Sequence, residues 1–336
     1  MASLRRYPTQ IGPPVTRFVL TALSALAIVI PVLAAAQTYP SRPVRIVVGF
    51  APGGTPDVFA RLIAQKMSES WGQVIVENRQ GATGNLAAEY VARSAPDGHT
   101  LFYSDSANFA INPHLFAKLP YDPVKDFAPV ILTSILPTYV TVHPSVPVNT
   151  LAEFISYAKE RPGKLSYASV GSGSIHHITT ELFKSVTGTD ILHVPYKGAG
   201  PGGQALLAGE VQVAFLSYTS VAQHVKAGKV KILAISMPQR SEALPEVPTM
   251  HEAGLPGFEM YSSLGIMAPA GTPRDIIAKL NAGVAAAIAN PDIAARMTGF
   301  GVRTIQGGTP EQFGAVMRAE YEKFRHLVKL SGAKLE

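Results

Sequence analysis

The sequence predicts a two-lobed α/β protein. Three observations carry this expectation: strand-like runs alternate with amphipathic helical runs, glycine-rich loops separate them, and a chain of 336 residues is long for one core, which stops growing at about 250–300 residues. Strand, helix and strand in succession make βαβ units and hence a largely parallel sheet.

At the N-terminus, Arg5, Arg6 and Arg17 flank or precede the apolar run 18–33, and Ala34-Ala35-Ala36 supplies small residues for cleavage. This is the pattern of a secretory signal peptide spanning residues 1–36. The run is short for a bilayer span of roughly 20 residues and contains Pro31, so cleavage after Ala36 is expected rather than a permanent anchor. Residues 1–36 hold three arginines and no acid, so the net charge of +6 falls to +3 in the mature chain. No dense Lys/Arg block with interleaved aromatics remains, so nucleic acid is not an expected partner. The absence of cysteine excludes disulfides, thiolate metal sites and thiol nucleophiles. An exported chain without disulfides fits a periplasm.

Residues 44–57, VRIVVGFAPGGTPD, are the most informative stretch. An apolar β-rich strand runs into Pro52-Gly53-Gly54, and Thr55 with Pro56 has the N-cap and N1 signature of a helix. A helix start presents unpaired N–H groups and a partial positive charge, so a carboxylate or phosphate is stabilised there without a charged side chain. An ordinary strand-to-helix turn would have the same pattern, and neither a P-loop nor a G-x-G-x-x-G motif is present. Val58, Phe59, Leu62, Ile63 and Met67 share one helical face, Gly72 ends the helix, and residues 74–77 are extended again. A second helix over 86–93 leads through Pro96-Asp97-Gly98 to a strand at 100–103 and the polar loop Ser104-Asp105-Ser106, from which further groups could reach a ligand. The β-branched run 139–142 ahead of Pro144 is read as a crossing into a second lobe.

Thr150 to Glu153 has capping-box spacing, and the helix it opens ends near Pro162-Gly163. The opening theme then recurs: a strand at 165–169, a glycine-serine loop at 170–174, and a helix lined by Ile175, Ile178, Leu182, Phe183 and Val186. A second anion-ready helix start results. Residues 192–196 feed the glycine-rich loop 197–203, residues 211–215 are extended, and 230–236 is read as the crossing back. Thr272-Pro273 and Thr309-Pro310 start the closing helices. The expected organisation is therefore residues 37–141 and 232–336 in lobe one and 142–231 in lobe two, with a ligand cleft between the lobes.

Chemistry in the cleft is weakly supported. Ser172 and Ser174 lie near His176 and His177, but neighbours on one helix start are not an oriented triad, and no G-x-S-x-G elbow appears. No H-E-x-x-H or comparable metal pattern is present, and no cofactor is expected. Asp57 in the first helical turn either accepts a ligand ammonium or hydroxyl or simply favours the helix dipole. Lys197 could pair with a carboxylate or point to solvent.

Tyr39-Pro40-Ser41-Arg42-Pro43, Phe50-Ala51-Pro52-Gly53-Gly54 with Asp57, Val76-Glu77-Asn78-Arg79, Pro96-Asp97-Gly98, Leu119-Pro120-Tyr121-Asp122-Pro123, His193-Val194-Pro195-Tyr196-Lys197-Gly198, and Pro269-Ala270-Gly271-Thr272-Pro273 follow one another along almost all of the mature chain. With these motifs in this order the chain resembles the Bug family, the extracytoplasmic solute receptors of tripartite tricarboxylate transporters. The resemblance implies a two-lobed periplasmic binding protein fold of type II-like architecture that closes on a small organic acid and delivers it, unchanged, to membrane permease subunits. A monomer in the periplasm is the corresponding expectation. The cleft residues implied are Pro52, Gly53, Gly54, Thr55 and Asp57, with Ser106 added from the neighbouring loop, and Ser169, Gly173, Ser174, Tyr196, Lys197 and Gly198 opposite. One departure stands out: the family often has a tryptophan ahead of Gly265, where this chain has Ser262-Ser263-Leu264, and the single Trp71 sits on the first helix at a position better explained by packing. A secreted α/β hydrolase or lyase using the same cleft, or a ligand-sensing partner of a membrane kinase, are the alternative readings.

Overall fold

The computed structural model describes Ala2 and residues 39–331. The expected signal peptide, Ala2 apart, lies outside the described residues, and no helix among those described is long and apolar enough to cross a membrane. The fold proper is the compact unit that begins at Arg42.

The chain begins with β1 (Val44–Val48), α1 (Thr55–Trp71), β2 (Val74–Asn78), α2 (Asn85–Ala92) and β3 (Thr100–Asp105). A π-helical turn at Ala107–Ile111 runs into the short α3 (Asn112–Leu115), and β4 (Phe127–Pro137) is followed after Thr138 by β5 (Tyr139–Val142). Then come α4 (Leu151–Lys159), β6 (Leu165–Ser169), α5 (Ile175–Thr187), β7 (Ile191–Pro195), α6 (Ala199–Ala208), β8 (Val213–Leu216), α7 (Tyr218–Lys226) and β9 (Lys231–Ile235). The chain closes with β10 (Tyr261–Pro269), α8 (Arg274–Ile288), α9 (Pro291–Gly299), β11 (Arg303–Thr304) and α10 (Pro310–Ser331).

Two sheets result, one ordered β11-β4-β10-β3-β1-β2 and the other β7-β6-β8-β5-β9. β1 is parallel to both β2 and β3, and β6 is parallel to both β7 and β8, as βαβ crossovers require. The expectation of largely parallel sheets holds only for these parts. β10 runs antiparallel to β3 and β4, and β5 antiparallel to β8 and β9, because these strands carry the chain between the sheets and so enter each sheet reversed.

Both expected crossings fall inside the second sheet. Tyr139 pairs with Leu216 on one side and Ile235 on the other, so β5 and β9 belong wholly to that sheet. The passages between sheets are at Thr138 and Ser236, which lie side by side: the Thr138 amide donates to Ser236 Oγ at 3.1 Å and the Ser236 amide to the Thr138 carbonyl at 3.0 Å. Both residues are buried. A strand pattern in sequence identifies a strand without saying which sheet will take it, since pairing is settled by distant partners.

Helices cover both sheets. α10 packs against the π-helical turn of the first sheet's side and against α5 of the second, so the last helix bridges the two lobes. Trp71 packs on α8, where a Cβ on Gly283 would collide with its ring; its role is packing, as expected.

Candidate functional site

α1 begins one residue earlier than the sequence suggests. Gly54 is the N-cap and Thr55 is the first helical residue, so the Thr55 hydroxyl has no capping duty. It reaches Thr219 Oγ1 near the start of α7 at 2.5 Å, across the gap between the lobes. Thr219 in turn bonds Ser217, the N-cap of α7, at 2.9 Å. The starts of α1 and α7 therefore face each other from opposite lobes.

The expected glycine donors of the first loop are turned inward. The Gly53 amide donates to Asp57 Oδ2 at 2.9 Å and the Gly54 amide to the Ala51 carbonyl at 3.3 Å. Asp57 also accepts from Arg61 Nε at 3.0 Å and from Asn78 Nδ2 at 2.8 Å. Burial alone would raise its pKa, but the bonds from Arg61, Gly53 and Asn78 outweigh that and hold it below the usual carboxylate range. Asp57 thus shapes the loop, and its carboxylate is engaged by the protein. Pro52 is exposed on the same turn. Among the described residues, the amides of Thr55 and Asp57 have no acceptor, and they are the donors this helix start presents.

The second lobe repeats the arrangement. Ser174 caps α5 by accepting from the His177 amide at 3.3 Å, and its hydroxyl donates to the Gly171 carbonyl at 2.6 Å. The Gly173 amide donates to His177 Nδ1 at 3.1 Å, and Ser169 Oγ meets His193 Nε2 at 2.7 Å. The Gly198 amide is bonded to the Tyr196 carbonyl, and the Tyr196 amide to the Ser169 carbonyl. Lys197 is exposed, and burial together with the neighbouring Glu210 raises the Tyr196 phenol. Ser169, Gly173, Ser174, Tyr196 and Gly198 therefore build the loops, while the amides of Ile175 and His176 on α5, and of Tyr218 and Thr219 on α7, have no acceptor among the described residues.

Ser106 is displaced from the expected set for a different reason. Its hydroxyl donates to Glu320 Oε2 at 2.6 Å and accepts from the Ser263 amide at 2.7 Å, and the Ser263 hydroxyl donates to Glu320 Oε1. Burial raises the Glu320 carboxyl, with the two serine hydroxyls opposing the shift. Ser263, in the segment where the family often has a tryptophan, thus serves a buried carboxylate from α10, while the buried Ser262 hydroxyl has no partner among the described residues.

Sequence reading missed the segment 81–84. Gly81, Ala82, Thr83 and Gly84 have φ of 135°, 46°, 53° and 85°, a left-handed run that non-glycine residues adopt only at a cost. Asn108 Nδ2 and Asn112 Nδ2 donate to the Thr83 carbonyl at 3.0 and 3.3 Å, which holds the strained residue in place. Its hydroxyl donates across the lobes to the Ser172 carbonyl at 3.0 Å. Only the two glycines flanking Ala82-Thr83 hinted at this in sequence. His176, buried beside the α5 start, has both ring nitrogens without a partner among the described residues, and burial pushes its pKa down to about 4.

The starts of α1 and α7 thus face each other from the two lobes, and two hydroxyl contacts, Thr55 to Thr219 and Thr83 to Ser172, join the lobes. Residues 59–332 match the family described as tripartite tricarboxylate transporter family receptor. The chain belongs to this family. BugT of Bordetella pertussis is 36% identical over 303 residues, covering 90% of this chain and 93% of BugT. The structure of Rhodopseudomonas palustris Rpa4515 with adipate has a TM-score of 0.84 and 37% identity, covering 88% of this chain and all of that one. MatC from the same organism, with bound malate, has a TM-score of 0.81 and 37% identity over 86% of this chain and all of MatC. The receptor has the two-lobed periplasmic binding protein fold that its resemblance implied. Among its described residues, no group of His, Cys, Asp and Glu is placed to hold a metal ion.

Proposed function

We propose that this receptor captures a small carboxylate between its lobes in the periplasm and passes it, chemically unchanged, to permease subunits of a tripartite tricarboxylate-type transporter. The observation that carries this is the meeting of two helix starts from opposite lobes at Thr55 and Thr219, with unbonded amides on both sides. Helix N-termini stabilise anions through oriented N–H groups and the helix dipole, and charge-assisted hydrogen bonds contribute about 1.5–3 kcal/mol each. Donors on both lobes make closure ligand-dependent, because the full set forms only when the lobes are together. Adipate in Rpa4515 and malate in MatC point to an aliphatic dicarboxylate. Asp57 and Ser106, already bonded within the protein, serve the loop and the buried carboxylate of α10; the ligand is held by Thr55, the α1, α5 and α7 amides and the 170–174 loop. The receptor acts as a monomer, with the signal peptide removed after Ala36.

The test is titration calorimetry of residues 37–336 against adipate, malate, aromatic acids and neutral sugars. Binding of an acid that is recovered unchanged supports the receptor reading. Conversion of the acid would restore the hydrolase or lyase reading, and binding of sugars alone would remove the carboxylate assignment. Thr55→Ala is expected to weaken acid binding about tenfold, since it removes both a candidate ligand contact and the hydroxyl bridge to Thr219; native affinity in this variant would remove α1 from the site.

A further inference from the structure

Behind the second-lobe loop lies a stack of three rings. Tyr167 on β6 and His193 on β7 lie with centroids 4.8 Å apart and planes at 18°, and His193 and His177 on α5 lie 4.2 Å apart at 12°. Each histidine is tied to the backbone of the loop between β6 and α5, His177 directly and His193 through Ser169. His177 Nδ1 accepts from the Gly173 amide at 3.1 Å. His193 Nε2 meets Ser169 Oγ at 2.7 Å, and that oxygen accepts from the Gly171 amide at 3.2 Å. Gly171 and Gly173, with φ of 130° and 84°, are the two left-handed residues of the loop, so they set its path. Between them lies Ser172, whose carbonyl accepts the Thr83 hydroxyl from the other lobe.

We propose that His177 and His193 are positioning residues for ligand capture: neutral, stacked imidazoles that fix Gly171 and Gly173 and so hold the Ser172 carbonyl and the α5 helix start in the closing geometry. This rests on the receptor reading and says how one of its loops is held. The bond from Gly173 requires an unprotonated Nδ1, so His177 carries its proton on Nε2. Ser169, already accepting from Gly171, has its hydroxyl proton available for His193 Nε2. A protonated imidazole at His177 replaces an acceptor with a donor facing the Gly173 amide, and the loop loses a fastening; Ser169 Oγ, with a second lone pair, can still accept from His193. The charged and titratable groups around the pair are Glu181 and Lys184 on α5, which are bonded to each other at 2.9 Å, and Tyr167 on β6, whose hydroxyl donates to Glu181 at 2.6 Å. Burial lowers the pKa of both histidines, and each also feels Lys184; His193 is additionally lowered by His177, while Glu181 opposes both shifts.

Four variants separate positioning from bulk. His177→Phe and His193→Phe keep a ring in the stack and lose the acceptor. His177→Asn places an acceptor near the Nδ1 position, and His193→Gln places one near the Nε2 position. Amide hydrogen exchange over residues 169–177 in ligand-free protein is read first, with melting temperature, and adipate and malate affinity is then read from pH 5 to pH 8. The inference expects at least tenfold faster exchange in the loop for the Phe variants, at least tenfold weaker acid binding at pH 7.5, and most of both restored in the Asn and Gln variants. Equal exchange in all four variants and the native protein, or Phe variants no worse than their Asn and Gln counterparts, would overturn it. If the native protein binds neither acid while the exchange contrast persists, the ligand assignment fails and the positioning role stands.

Discussion

Asp57 illustrates how a residue that reads as a ligand contact becomes scaffold. Its place in the first turn of a helix was legible, but the three donors around it come from residues 53, 61 and 78, and only the fold brings Asn78 close. Buried titratable groups make a sharper case. His176 is held neutral by burial, with its pKa at about 4 against about 6.5 for a free histidine. Between those values the unfolded chain binds the proton and the native chain does not, so this residue lowers stability as pH falls from about 6.5 to about 4. Asp105 acts in the opposite direction. Burial, aided by the nearby Glu320 charge and opposed by the amides of Ala107 and Asn108, raises it to about 7. It keeps its proton in the fold where the unfolded chain has lost it, so stability falls as pH rises from about 4 to about 7. The two trends partly cancel in the native protein. Asp105→Asn removes the second while its Oδ1 can still accept from Ala107. The melting temperature of this variant is expected to climb more steeply between pH 4 and pH 6.5 than that of the native protein, and to exceed it at pH 8; scanning fluorimetry at several pH values checks this, and parallel profiles would refute the role given to Asp105.

Local signals were read correctly wherever a few adjacent residues decide the outcome. Thr150 and Glu153 form the reciprocal capping box their spacing announces, with the Glu153 amide donating to Thr150 Oγ1 at 3.2 Å. Thr150→Ala should cost about 1 kcal/mol, lowering the melting temperature by roughly 2–4 °C, with acid affinity unchanged because the cap lies on an exposed turn. Calorimetric melting and titration of the same sample measure both effects. The start of α1 was less legible. A threonine before proline reads as an N-cap, yet Gly54 takes that place, and what the displacement frees is the hydroxyl that crosses to Thr219. The left-handed run 81–84 and the histidine stack were hidden for the same reason: their partners, Asn108, Asn112 and Tyr167, are distant in sequence and become neighbours only once the sheets have formed.

At the scale of the whole molecule, the two passages between lobes are adjacent and bonded to each other. Ser236 also receives the Met260 amide at its carbonyl, at 2.9 Å, so the return path into the first sheet is fastened at the same point. Relative movement of the lobes must be absorbed there and in the bridging helix α10. Ser236→Ala leaves the buried Thr138 amide without its side-chain acceptor, a loss of about 1–3 kcal/mol. A melting temperature several degrees below native is expected by calorimetry, and an unchanged value would show that the fastening carries no net stability.

The same pair of passages has a consequence for how the chain reaches its native state. All five strands of the second sheet come from one unbroken stretch, residues 139–235, whereas the first sheet needs β10, inserted between β3 and β4, from far down the chain. A polypeptide delivered N-terminus first can assemble the second sheet while the first still exposes unpaired edges on β3 and β4. The strands translated earliest are thereby completed last, and the cleft comes into being only when residues 261–269 arrive.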